Sequence, residues 1–354
     1  MSEALTVGDI GELALIERLK PFCQLGAVGD DAALMTLRPG FQLVVTTDVL
    51  VDGVHFSDRT TPPYSVGWRS AAANLSDLAA MGADALGITV GLGLPKQTPW
   101  PWVEALYQGM SDCLSTYGGQ AIHGGDLCRS NQRTVSITAL GEVEPQWVIC
   151  RNAATADMTV VVTGAHGGSR AGLAVLLGEI REDFPDAAAW VKAHQRPVPR
   201  FDAIAQLKAA VKTTVKTTAK TTVKNTVEAS AIPKIAGMDS SDGLANALLQ
   251  LSHSSGVGID ICQSSVPLPP GLEDAVGFET ALNWALYGGE DFELVLCLPN
   301  DVADAWLQMD GAAIAIGRTT ANSDNKVRLF ETTEGFTTQF SAYQQIEPRG
   351  FQHF

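Results

Sequence analysis

The chain has 354 residues, 24 Lys and Arg against 39 Asp and Glu, and a formal net charge of −15. That length allows one large or two medium α/β domains, and the acidic balance argues against a nucleic acid or an anionic membrane as partner. The apolar runs are broken by Gly, Pro or charge before they could span a bilayer, and the first twenty residues lack a signal-peptide pattern. Six scattered cysteines (Cys23, Cys113, Cys128, Cys150, Cys262 and Cys297) form no C-x-x-C pair. They read as reduced thiols of a cytoplasmic protein rather than as a zinc site.

Apolar β-type runs alternate with helix-type segments, which predicts an α/β fold. In the first half "FQLVVTT" (41–47), "ALGITVGLGL" (85–94) and "TVSITALGEV" (134–143) read as strands. The spacing predicts a helix over 65–83, with Trp68, Ala72, Leu75 and Ala79 on one stripe and Ser70, Asn74, Asp77 and Met81 on the next. Asp77 is then either an exposed aspartate or a carboxylate aimed into a cleft. A boundary near Cys150 precedes a second strand, "MTVVVTG" (158–164), a glycine-rich turn and the helix-type "LAVLLGEI". "GVGIDICQ" (256–263), "FELVLCLP" (292–299) and "AAIAIGRTT" (312–320) complete the predicted strands. Neither a G-x-G-x-x-G fingerprint nor a P-loop occurs. The repeat "VKTTVKTTAKTTVKNTV" (211–227) is basic and threonine-dense, so an inserted surface segment, flexible or marginally helical, is expected there.

Six stretches set acids among Gly, Ser or Thr: "GDD" (29–31), "TTD" (46–48), "NLSD" (74–77), "GGD" (124–126), "MDSSDG" (238–243) and "GGED" (288–291). Any one is an ordinary turn. Six that converge would raise one another's pKa values unless cations relieved the repulsion. Hard oxygen donors without a His/Cys cluster favour several Mg²⁺ ions over zinc, with Mn²⁺ and Ca²⁺ fitting the same donors. Carboxylate-held Mg²⁺ bridging to an anion is how an acidic site takes a polyphosphate. The residues alone therefore indicate a Mg²⁺-dependent enzyme acting on a phosphorylated substrate.

In order and spacing, "VGDDAAL", "TTDVLVDGVHF", "NLSDLAAMGADALG", "GGDLCRS", "MDSSDGL" and "YGGEDFEL" resemble the thiamine-monophosphate kinase family, as does the terminal "RGFQHF". That family belongs to the aminoimidazole-ribonucleotide synthetase superfamily. The likeness runs from about residue 5 to 354, apart from the repeat at 211–227, which looks like an insertion. It implies a two-domain α/β fold of mixed sheets flanked by helices. Residues 1–150 would bind ATP and magnesium and dimerise, and residues 151–354 would complete the active site. The implied reaction transfers the γ-phosphoryl group of ATP to thiamine phosphate, giving thiamine diphosphate and ADP, in a homodimer joined through its N-terminal sheets.

Carried over by motif, Asp31, Thr46, Thr47, Asp48, Asp77, Asp126, Asp239 and Asp242 match magnesium-binding positions. Asp31 rather than Asp30 is the expected ligand of the first pair. Tyr117, Gly125, Arg151 and Ser241 match nucleotide-contacting positions, and His55, Glu290 and Phe351 match positions that hold thiamine phosphate. A carboxylate and an aromatic face suit the cationic thiazolium and the aminopyrimidine. No dedicated general base is expected. The chain departs from the pattern at Asp52, Leu127, Gly168 and Arg170, which bears on local detail of the pocket. The competing expectations are another ATP-dependent synthetase of the superfamily and a non-catalytic acidic metal-binding module. Cys23 lies in a setting unlike the reactive Cys of a selenide-activating relative, and the chain ends "QHF" rather than in the Cys of a hydrogenase-maturation relative.

Overall fold

The first sheet comprises β1 (Gln42–Val51), β2 (Asp84–Leu94), β3 (Ile122–Arg129) and β4 (Thr134–Val143), with alternation and β-branched content clearest in β1 and β4. The protein is described here by a computed structural model covering residues 4–25, 31–118, 121–221, 232–309, 311, 313–321, 326–332 and 343–349. Asp30 and Phe351 lie outside these residues. The chain divides into two compact units. The first comprises Met1–Ala79, Ala83–Pro145 and Gln195–Pro199; the second comprises Ala80–Gly82, Gln146–His194 and Arg200–Phe354.

The sheet of the first unit has the order β1-β4-β2-β3. β4 pairs antiparallel with β1 and β2, while β3 lies parallel to β2. Helices α1 (Val7–Ile10), α2 (Glu12–Leu19), α3 (Pro63–Ala80) and α4 (Trp100–Thr116) complete the unit. α3 and α4 touch backbone to backbone. A Cβ on Gly67 would lie 1.8 Å from the Leu106 carbonyl oxygen, and one on Gly109 would lie 1.9 Å from that of Tyr64. Leu75, Leu78, Ile88, Leu92, Leu106, Met110, Ile122 and Ile137 are fully buried, each contributing roughly 2 kcal/mol of transfer free energy. α3 is buried almost all round, and even Ser70 and Asn74 of its polar stripe, and Ser76, are closed to solvent.

The second unit carries a mixed sheet of β5 (Thr159–Thr163), β6 (Ala236–Asp239), β7 (Gly258–Cys262), β8 (Leu294–Leu298), β9 (Ala313–Thr320), β10 (Val327–Phe330) and β11 (Tyr343–Gln345). Its order is β11-β10-β7-β9-β5-β8-β6, with β10 parallel to β7 and the other pairs antiparallel. Helix α8 (Leu244–Ser255) joins its apolar face to the core of this sheet through Leu244, Leu248 and Leu251. A separate core gathers Ala171 and Val175 of α5 (Gly168–Leu177) and Trp190 of α6 (Ala187–Gln195). To these it adds Leu272 of α9 (Leu272–Val276) and Ala281 of α10 (Phe278–Tyr287).

Helix α7 (Phe201–Thr221) runs into the threonine-lysine repeat, which is therefore helical as far as Thr221; residues 222–227 lie outside the described part. Two effects offset the low helix propensity of threonine. Leu207, Ala210 and Val211 are buried, and Gln206 accepts a hydrogen bond from the Trp306 indole of α11 (Asn300–Leu307). The Thr213 and Thr214 hydroxyls bond back to the carbonyls of Ala209 and Ala210 at 3.0 and 3.1 Å, the usual way a helix accommodates them. Among the described residues no helix is long and apolar enough to cross a membrane. All six cysteines are free thiols, three of them buried, two half-buried and Cys128 exposed.

Candidate active site

In the first unit the "GGD" stretch is not a turn but lies within β3. A Cβ on Gly125 would lie 1.8 Å from the Val90 carbonyl oxygen of β2, so only glycine lets the two strands meet. The ladder shifts register between Ile88 and Val90, beside this contact. A cleft of about 610 Å³ opens here, in the size range of small-molecule pockets. Asp31, Lys20, Gly125 and Asp126 line its polar part, and Ile16, Leu19, Met35 and Tyr107 its apolar part. Three of the residues expected at the site, Asp31, Gly125 and Asp126, are thus brought together.

A second group forms where β1 meets the polar stripe of α3. The Thr46 hydroxyl donates to Asp77 Oδ2 at 2.5 Å. The Asp48 N–H donates to Asn74 Oδ1 at 3.2 Å, and Asn74 Nδ2 donates to the Ser70 carbonyl at 3.0 Å. Asn74 therefore ties β1 to the helix one turn before Asp77. Asp77 is half-buried and paired with Thr46 of β1, so the exposed reading does not hold, and it is not among the residues that line the cleft. Thr47 stands on the opposite face of β1, its hydroxyl 2.9 Å from that of Thr138.

His55 sits in the tight loop after β1, where its Nδ1 accepts the Val51 N–H at 3.1 Å. A neutral ring then carries its proton on Nε2. Arg133 clamps this loop, with Nε 2.7 Å from Asp52 Oδ2 and Nη1 and Nη2 2.7 and 2.9 Å from the Asp58 carboxylate. The guanidinium holds the Asp58 carboxyl below its usual range. Tyr117 caps the C-terminus of α4 and meets Trp68 edge-on at 6.1 Å.

In the second unit two loops are zipped together. The turn 240–243 between β6 and α8 offers the Ser241 carbonyl to the Glu290 N–H at 2.6 Å, and the Ser240 N–H donates to the Glu293 carbonyl at 2.8 Å. Asp239 is buried at the end of β6, while Asp242 is exposed and accepts Asn246 Nδ2 at 3.0 Å. Arg151 is exposed, with Nη1 2.6 Å from Gln250 Oε1. Glu290 and Phe292 adopt φ of +69° and +55°. Such strained non-glycine residues cost of order 1–3 kcal/mol each and persist only where their surroundings over-determine them.

The surrounding restraint is Asp291, whose carboxylate accepts the N–H of Gly167 at 2.6 Å and of Ser169 at 2.9 Å at the start of α5. Burial pushes its carboxyl up to about 7, against the opposing effect of these N–H donors. Between about pH 4 and 7 the folded chain therefore holds a proton that the unfolded chain has released. The stability this contributes is complete below the unfolded value and is lost as pH rises through 7. Urea unfolding of Asp291→Asn should lack this slope. The stability difference between parent and variant should move against the parent by up to about 1.4 kcal/mol per pH unit between pH 5 and 7; parallel pH profiles would refute it.

Asn74, Arg133, Asp291 and His194 are supporting residues that sequence reasoning misses. Asp291 lies inside one of the acidic glycine-rich stretches, whereas the other three carry no local signal. Among the described residues no group of three or more His, Cys, Asp or Glu side chains is gathered tightly enough to hold a metal ion.

Residues 29–143 match the family model of the AIR synthase related protein, N-terminal domain. A thiamine-monophosphate kinase of Synechococcus elongatus is 44% identical to this chain over 352 residues, covering 99% of this chain and 98% of the relative. That of Bacillus subtilis is 30% identical over 334 residues, 92% and 93% of the two chains. The solved structure of AaThiL complexed with AMPPCP and TMP is similar at a TM-score of 0.72 and 29% identity, covering 98% of each chain. HypE, a hydrogenase maturation protein solved in complex with ATP, reaches a TM-score of 0.70 at 18% identity, a likeness of fold alone.

Proposed function

Because this chain belongs to the thiamine-monophosphate kinase family, we propose that it transfers the γ-phosphoryl group of ATP to thiamine phosphate, releasing thiamine diphosphate and ADP. The observation that carries this reading is the 44% identity sustained along 99% of the chain. The test is direct: the protein, ATP, Mg²⁺ and thiamine phosphate are incubated and thiamine diphosphate is separated by chromatography. Folded protein that forms none would overturn the assignment.

The acceptor is itself a phosphate whose second ionisation falls near ~6, so at neutral pH it is largely charged and needs no base to activate it. Bringing two polyanions together is then the main obstacle, and alignment and charge neutralisation are what the site must supply. In the first unit Asp31, Asp48, Asp77 and Asp126, with Thr46 and Thr47, are the candidate magnesium ligands; in the second they are Asp239 and Asp242. The donor chemistry fits Mg²⁺, since these side chains offer oxygen alone and Asp31 and Asp126 open into the same cleft. Bound Mg²⁺ would supply neutralisation of phosphate charge at these carboxylates. Gly125 and Tyr117 of the first unit and Arg151 and Ser241 of the second are assigned to the nucleotide. His55 and Glu290 are assigned to thiamine phosphate.

We further assign a homodimer formed through the first sheet, and a cytoplasmic setting consistent with six free thiols. β1 is an edge strand and exposes Leu43, Val45 and Val49 at 50%, 54% and 46%. The three share one face of the sheet, and an exposed apolar face of this kind suits contact with another chain. Val45→Asp together with Val49→Asp should convert a dimer to a monomer in sedimentation velocity, and an unchanged mass would overturn the assignment of this surface.

A further inference from the structure

Glu290 is held from three sides. Its N–H is bonded to the Ser241 carbonyl, and the next residue, Asp291, is anchored to the first turn of α5. The third side is α6: His194 Nδ1 lies 3.1 Å from the Ser169 hydroxyl and 3.9 Å from Glu290 Oε2. The Ser169 backbone N–H serves Asp291 while its hydroxyl meets His194, so one residue couples both anchors. The placement is rigid. A Cβ on Gly172 would lie 2.1 Å from the Trp190 carbonyl oxygen and 2.9 Å from His194 Cβ, so α5 and α6 meet at van der Waals distance. The His194 side chain is 4% exposed, whereas that of Glu290 is 35% exposed. Only the last of this series reaches out to where a ligand could meet it.

We propose that Asp291 and His194 are positioning residues for thiamine phosphate, which act by holding the Glu290 carboxylate in its left-handed backbone setting rather than by touching the substrate. The inference rests on the assignment of Glu290 to thiamine phosphate made above. The arrangement suits a cationic ring: Glu290 must meet it as a fixed carboxylate, and a side chain with three free torsions would otherwise lose that order on binding. Asp291 removes the freedom of the backbone, and the buried His194 imidazole closes one side of the carboxylate.

Steady-state kinetics on the full-length protein test this, with thiamine phosphate and ATP each varied at saturating levels of the other. His194→Phe and Asp291→Asn should each raise KM for thiamine phosphate about tenfold, the effect of weakening one charge-assisted interaction with the substrate, with KM for ATP changed less than about twofold. His194→Asn, which keeps a nitrogen near the δ position, should recover most of the loss. In a Glu290→Gln background, adding His194→Phe should cost less than about twofold more, because both act through one carboxylate. If Asp291→Asn does not fold, the His194 pair decides alone. A normal KM for thiamine phosphate in His194→Phe, with a raised one in Glu290→Gln, overturns the proposal and leaves the role of Glu290 standing. A normal KM in Glu290→Gln removes that role and the proposal with it.

Discussion

Asp77→Asn is expected to lower kcat by roughly a hundredfold to a thousandfold while the protein stays folded. Asparagine keeps the volume of the side chain, and its amide oxygen can still accept the Thr46 hydroxyl that now sits 2.5 Å from Oδ2. What disappears is the charge. α3 is buried almost throughout, so a half-buried carboxylate on it is a costly feature unless its charge is used. The melting temperature should shift by only a few degrees, and KM for ATP measured with Mg²⁺ should rise, with partial recovery at higher Mg²⁺. Thr46→Ala serves as the comparison, since it removes the hydrogen bond and leaves the charge, and it should cost far less. Near-normal turnover in Asp48→Asn, Asp77→Asn and Asp242→Asn alike would overturn the carboxylate–magnesium reading.

The second large effect is steric. Gly125→Ala places a methyl group 1.8 Å from the Val90 carbonyl oxygen, a backbone atom in the middle of β2 that has no rotamer to escape into. Beyond β2, β3 is tied among the described residues by the bridge of Ile122 to Cys23, so it is the partner that can move. Parting of the Val90–Gly125 and Gly91–Asp126 positions would carry Asp126 away from Asp31 in the shared cleft. We expect a loss of about 3 kcal/mol or more, about 10 °C in melting temperature for a unit of this size, and a sharply raised KM for ATP. Gly124→Ala is the control. A Cβ there meets nothing within 4 Å, so only the cost of its φ of +131° remains. Equal melting temperatures for Gly125→Ala and the parent would show that this close approach does not exclude a side chain.

The elements that could be read in advance were those with a strong internal period. β4 occupies the expected 134–143, and α3, β1, β2, β5, β7, β8 and β9 overlap their expected segments with ends that differ by a few residues. β3 was missed because "IHGGDLCR" contains two glycines and no alternation, and a strand of that composition exists only through its neighbour β2. The repeat at 211–227 looked too rich in threonine for a firm helix. It is helical to Thr221 because burial of Leu207 and Val211 and the back-bonded hydroxyls of Thr213 and Thr214 outweigh a weak propensity.

By itself the sequence determined the α/β class, the supply of carboxylates on glycine-rich stretches, and the ordered motifs that belong to one kinase family. The class and the carboxylate supply are written in short local stretches, as hydrophobic period and turn chemistry, and the family in the order of such stretches along the chain. The tertiary structure decided which of those groups meet. Thr46 reaches Asp77 across 31 residues, and Gly167 reaches Asp291 across 124. Contacts over such distances depend on sheet register and on helices that touch at Gly67, Gly109 and Gly172, and no local pattern encodes them. The same holds for Glu290, whose left-handed backbone is unfavourable in any local reading and is held by the Ser241 carbonyl on its N–H and by the anchoring of the next residue, Asp291.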